Sequence, residues 1–194
     1  MSKKQHLHAL TQCALLCALG AVLAQVKLYD LPLGGSITLC SMLPILLAGQ
    51  RFGALWGFGT AFVFSVIQLL TGLSSVAYLP TAGGVILCVL LDYLLAFTVL
   101  GMTGLPLFRR RGLAGFLAGS ACACLCRFLA HFLSGAVVWY SITRAEQWND
   151  LVMKCGMWTY SFIYNISYMG PEILLTLLAA PLLYAALKKV EPGR

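Results

Sequence analysis

The sequence predicts an all-α integral membrane protein: a compact bundle of six transmembrane helices with both termini cytoplasmic. Three observations carry that prediction. Of 194 residues, 60% are apolar and only 10% charged, with mean hydropathy +0.88, whereas an ordinary soluble domain is about a quarter charged. Six long apolar stretches follow one another, with soft ends near 7–26, 37–49, 54–73, 82–105, 112–141 and 157–187. Nine of the thirteen cations fall at the ends and loops of one side.

The elements follow in order. Lys3 and Lys4 precede span one. A basic start and an apolar run suit a signal peptide too, but no small-residue cleavage site precedes a soluble domain, so span one is expected to be retained. Span two is too short for an upright crossing, which takes about 20 residues; it is expected to be tilted, re-entrant or buried, and Arg51 follows it. Span four leads to Arg109–Arg111, and span six to Lys188, Lys189 and Arg194. The opposite side holds only Lys27, Arg144 and Lys154, while Arg127 lies inside span five. The positive-inside rule therefore puts the termini in the cytoplasm and the loops 28–36 and 142–156 outside. The net charge of +7 is explained by this anchoring, and no nucleic-acid partner is called for. The apolar runs are far too long for barrel strands. With no repeat, linker or low-complexity tract, residues 1–194 read as one membrane domain.

Seven of the eight cysteines lie in or beside apolar spans and read as small buried packing residues; Cys155 is in an outer loop. Cys122, Cys124 and Cys126 make a poor metal site, because on a helix Cys124 faces away from the other two. No metal or cofactor is expected. No G-x-x-x-x-G-K-[ST] phosphate loop exists, so the chain cannot use ATP by that route. Its spans show no paired inverted halves, which weakens a self-contained secondary transporter.

Four ionisable groups lie within apolar spans: Asp92, Arg127, His131 and Glu172. Such groups are costly in a bilayer and mark functional positions. Arg127, His131, Gly135 and Trp139 recur every four residues and form one helical stripe. Asp92 lies some ten residues into span four, about 15 Å deep at the helical rise. His131 reaches a similar depth, with Gly135 and then Trp139 nearer the rim. In span six Tyr160 is at the rim and Asn165 near the level of His131. Three helices thus bring polar groups to the same outer half of the bundle, as a pocket between helices requires.

The chemistry of that pocket suits an aromatic, positively charged, amino-substituted small molecule. Asp92 supplies the acid, and needs a partner or ligand to stay ionised. Trp139, Tyr93, Tyr160 and Tyr164 offer faces for stacking and cation–π contact. Asn165 presents donors and acceptors to a heterocycle edge, and Gly135 lets a ligand approach the backbone. Blander readings compete. Trp139, Trp158 and Tyr160 taken singly suit an interfacial belt. Arg127 pairs with Asp92 or Glu172 and only holds helices together, or it serves the pocket. His131 alone suits a satisfied core histidine. An intramembrane hydrolase built on His131, Glu172 and Asp92 lacks any H-E-x-x-H or G-x-S-x-G motif. In span one, Ala14, Ala18 and Ala21 form a small-residue face for packing in this bundle or on a partner subunit.

The strings His131-Phe-Leu-Ser-Gly135-Ala-Val-Val-Trp139, Tyr160-Ser-Phe-Ile-Tyr164-Asn165 and Tyr168-Met-Gly-Pro171-Glu172 resemble the thiamine-specific substrate-binding subunit of energy-coupling factor (ECF) transporters. Leu91-Asp92-Tyr93, with Gly101 and Gly104 following, is similar to that family's fourth span, and the resemblance covers most of the chain. It implies a six-helix fold in a bacterial cell membrane, an outward-facing thiamine site and no enzymatic activity. It implies docking on a shared transmembrane coupling subunit with two ATPase subunits, through an alanine motif that Ala14 and Ala18 match. By position, Asp92 takes the acidic place, where some members have glutamate, with Tyr93 beside it. His131, Gly135 and Trp139 line the site from span five, and Tyr160 and Asn165 from span six. The family uses an aromatic of the first outer loop; here Tyr29 is the only one. A tyrosine upstream of the acid has Tyr78 as its candidate, at a different spacing.

Overall fold

The computed structural model describes residues 3–31 and 35–190, with side chains as far as Ala186. Pro32, Leu33 and Gly34 of the first outer loop, Arg194, and the side chains of Lys188 and Lys189 lie outside the described residues. Helix α1 (Lys3–Gln25) leads to a hairpin of β1 (Lys27–Asp30) and β2 (Ser36–Thr38). Then come α2 (Leu43–Phe52), α3 (Ala54–Thr71), α4 (Ala82–Gly104), α5 (Gly112–Ala145) and α6 (Met157–Val190). Among the described residues five helices are long and apolar enough to cross a membrane: α1, α3, α4, α5 and α6.

The second apolar stretch becomes the ten-residue α2, and the bundle buries it. Leu43 through Gln50 are all buried, so α2 belongs to the core, one of the three fates its length allowed. Pro44 starts it, where a missing N–H does no harm, and Gly53 ends it at φ 91. The Arg109 guanidinium then donates to the carbonyls of Gln50 (3.2 Å) and Arg51 (2.9 Å), which caps the helix C-terminus with a cation.

Glycines let α2, α3 and α4 meet backbone to backbone. A Cβ on Gly57 would stand 2.6 Å from the Gly49 Cα, and one on Gly101 would stand 2.6 Å from the Phe58 backbone. Small residues at such crossings gain dispersion contacts in lipid, where helices have no hydrophobic drive to associate. Thr103 seals the contact by donating to the Leu46 carbonyl at 2.6 Å. Ile45, Leu46, Phe64, Leu100 and Phe116 fill the adjoining core. Leucines such as Leu129, Leu174 and Leu182 stay exposed, as a lipid-facing surface requires.

Two local features sharpen the sequence reading. The two sides of the first outer loop pair: β1 and β2 are antiparallel, with Tyr29 opposite Ile37 and Asp30 opposite Ser36. Span five does not stop near 141: after a π-helical turn at Gly135–Trp139, α5 continues as α-helix over Tyr140–Ala145. On α1 the inward face is Cys13, Cys17, Gly20 and Ala24, while Ala14 and Ala18 are exposed. Those two alanines are therefore not used for packing within this bundle.

Candidate functional site

Two departures from α-geometry hold the polar residues. Helix α4 is π-helical over Val89–Leu95 and α5 over Gly135–Trp139. Such turns widen the helix locally, re-aim side chains and gather at functional positions. Asp92 and Tyr93 sit in the first; Gly135 and Trp139 sit in the second.

Asp92 is where the helices converge. Its Oδ1 lies 2.9 Å from His131 Nδ1, and its Oδ2 accepts from Ser134 Oγ (2.5 Å) and Trp139 Nε1 (2.9 Å). The Cys88 thiol on the preceding turn donates at 3.4 Å. An ionised carboxylate only accepts, so His131 carries its proton on Nδ1. In the neutral ring Nε2 is then an acceptor, and it has no partner among the described residues.

These groups open on a cavity of about 210 Å³, against the roughly 10–15 Å³ a single water requires. Asp92, Tyr93, His131, Gly135, Trp139, Tyr160 and Asn165 all line it. Tyr160, Tyr164 and Tyr168 stand in sequence along α6, their ring centroids 6.2 and 5.8 Å apart, and Tyr168 meets the His131 ring at 6.4 Å. The lining thus combines a row of tyrosines on α6 with the Asp92 carboxylate of α4.

Several roles differ from the sequence expectation. Gly135 lines the cavity, but what approaches its Cα is α6: a Cβ there would collide with Ser161 Oγ and lie 2.9 Å from Asn165 Nδ2. Asn165 is engaged within the protein, donating to the Ser161 carbonyl (2.9 Å) and accepting from Tyr168 (2.9 Å). Arg127 pairs with no carboxylate among the described residues. Its guanidinium lies 4.4 Å over the Phe97 ring and lines the cavity. The acids are occupied elsewhere, Asp92 as above and Glu172 with Thr38 (2.6 Å). Tyr29 and Tyr78 are exposed and do not line the cavity.

Sequence reading missed Phe97 and Tyr168 as cavity residues and Ser134 as a donor to Asp92, and also the walls from the hairpin (Gly35, Ser36, Thr38) and the end of α3 (Gln68, Thr71). The four-residue spacing Tyr160, Tyr164, Tyr168 was a signal that could have found Tyr168. The walls from other elements left none.

Fold and cavity together define a multi-pass helical membrane protein with room for a small ligand between its helices. Known proteins narrow that class. The thiamine transporter protein family matches residues 10–191, and the chain belongs to this family of non-enzymatic membrane transport proteins. It is similar to the thiamine transporter ThiT of Bacillus subtilis (strain 168), 27% identical over 196 residues that span 95% of this chain and 94% of that protein. A solved structure of ThiT from Listeria monocytogenes shares the fold with a TM-score of 0.69 over 97% of each chain, at 20% identity.

Proposed function

We propose that this chain is the substrate-binding subunit of an ECF transporter, and that thiamine binds in the cavity beside Asp92. The observation that carries the assignment is the Asp92 carboxylate, held by His131, Ser134 and Trp139 at the wall of an aromatic cavity. Those three donors hold the acid in place. The formal charges agree. Within the membrane-spanning helices Asp92 and Glu172 are two negative charges against the single positive Arg127, and the cavity-lining Lys27 of the hairpin is paired with Asp30 at 2.9 Å, so one negative charge remains in and beside the cavity. Uncompensated charge within a membrane is costly, so a monocationic ring such as thiazolium completes the balance.

Roles for the other residues follow from their chemistry. Trp139, Tyr160 and Tyr164 stack on the two rings of the vitamin. His131, through Nδ1, holds the Asp92 carboxylate in place for the ligand. Tyr93, whose hydroxyl donates to the Gly72 carbonyl at 3.0 Å, holds the end of α3 against the cavity. Gly135 and Asn165 set the α5–α6 spacing that the ligand requires. By the distribution of cations the vitamin enters from outside. Ala14 and Ala18, exposed on α1, dock on the transmembrane coupling subunit, and two ATPase subunits supply the energy that this chain cannot.

Titration of thiamine into the purified protein tests the reading, since Trp139 reports on its own fluorescence. Saturable quenching at micromolar vitamin supports it. A folded protein that shows none, or that prefers riboflavin, biotin or pyridoxine in competition, refutes it. Vesicles holding this chain alone are expected to take up no thiamine against a gradient, while vesicles that also hold the coupling subunit and ATPases do so with ATP.

A further inference from the structure

Among the described residues Glu172 is a buried carboxylate that the proposed binding leaves without a direct role. It is 2% exposed and follows Pro171 inside α6. Both of its oxygens reach the hairpin. Oε2 accepts the Thr38 backbone N–H at 2.6 Å, and Oε1 accepts the Thr38 hydroxyl at 2.6 Å. Charge-assisted hydrogen bonds of this kind are short and roughly twice as strong as neutral ones. They join residues 134 positions apart in sequence.

Thr38 is the last residue of β2, and the hairpin it ends forms a wall of the cavity through Lys27, Gly35, Ser36 and Thr38. The strand lies directly on the tyrosine ladder: a Cβ at Gly35 would be 2.9 Å from the Tyr168 ring and 3.0 Å from the Tyr164 hydroxyl. The Thr38 and Ser41 hydroxyls are 2.7 Å apart, which carries the tie to a further cavity residue. A two-stranded hairpin is marginal by itself, and this one has three paired positions with a register shift between Lys27 and Tyr29. Its place therefore depends on what anchors it.

We infer that Glu172 is a positioning residue for ligand binding: by clamping Thr38 it fixes the hairpin as a cavity wall and so slows ligand escape. This rests on the assignment of thiamine to the cavity. A wall that is in place after binding acts mainly on dissociation, and its loss changes the encounter rate little.

The test combines stopped-flow thiamine kinetics with hydrogen exchange at the Thr38 amide, in wild type, E172L, E172Q and T38V. Leucine makes neither bond. Glutamine keeps both, its carbonyl accepting the amide and its NH2 donating to the hydroxyl oxygen. E172L is expected to raise the dissociation rate about tenfold or more, with the association rate within about threefold, and to speed exchange at Thr38. E172Q restores both readouts toward wild type, and T38V, which keeps only the amide bond, falls between. Equal behaviour of E172Q and E172L overturns the clamp in favour of a charge effect. Unchanged exchange at Thr38, or an unchanged dissociation rate in E172L, overturns it as well. If E172L does not fold, wild-type dissociation in T38V overturns it. A wild-type protein that binds no thiamine would refute the proposed function alone, because exchange at Thr38 still tests the clamp.

Discussion

Replacing Asp92 with asparagine separates the charge of the site from its shape. The Asp92 side chain is 13% exposed, so bulk water does not screen it fully, and an effective dielectric constant of about 20 applies. A carboxylate and a cationic ring about 5 Å apart then attract by roughly 3 kcal/mol, which is about a hundredfold in Kd. Asparagine keeps the size of the group but turns one acceptor into a donor facing Ser134 or Trp139, so some affinity is lost whatever the ligand. The informative quantity is a difference of differences. Thiamine and its uncharged thiophene-ring isostere are titrated calorimetrically into wild type and D92N. Thiamine is expected to lose about a hundredfold more affinity than the isostere. Equal losses for the two ligands would refute the electrostatic role of Asp92, and unchanged thiamine affinity would remove it from the site.

Other outcomes follow from the packing. G135A places a methyl group against Ser161 and Asn165; overpacking of about 1–3 kcal/mol lowers the melting temperature by roughly 2–4 °C per kcal/mol and weakens thiamine binding in the same preparation. Y29A and Y78A alter exposed side chains off the cavity, so each changes the fluorescence-measured Kd by no more than about twofold; a tenfold loss would contradict the placement of the walls. A14L combined with A18L adds bulk to an exposed face of α1. It leaves thiamine titration unchanged and abolishes ATP-driven uptake in vesicles that hold the partner subunits; full uptake would exclude that face as the docking surface.

The spans were legible because their signal is local. The reading of 82–105 for span four lies within a residue of Ala82–Gly104, and both readings of span five begin at 112. Its far end lies four residues beyond the reading, because the helix resumes α-geometry over Tyr140–Ala145 after its π-helical turn. Asp92 and His131 stood out as ionisable groups in apolar runs. Phe97, Ser134 and Tyr168 did not, since a phenylalanine, serine or tyrosine in such a run looks ordinary. Asn165 and Gly135 line the cavity, and both also face across the α5–α6 contact, which a local pattern could not show.

Arg127 shows where local reasoning ends. A buried guanidinium with two acids in the same bundle suggests an ion pair, yet it lies on Phe97, because three donors from α5 hold Asp92 and a strand holds Glu172. The cost of placing a residue in lipid depends on that residue and its near neighbours, so composition alone decided that the chain is helical, embedded and equipped with a few expensive polar groups. Which of those groups meet depends on helix rotation, on two π-helical turns and on a hairpin seated 134 residues away from its anchor. Those are properties of contacts between distant segments, and only the assembled bundle selects among them.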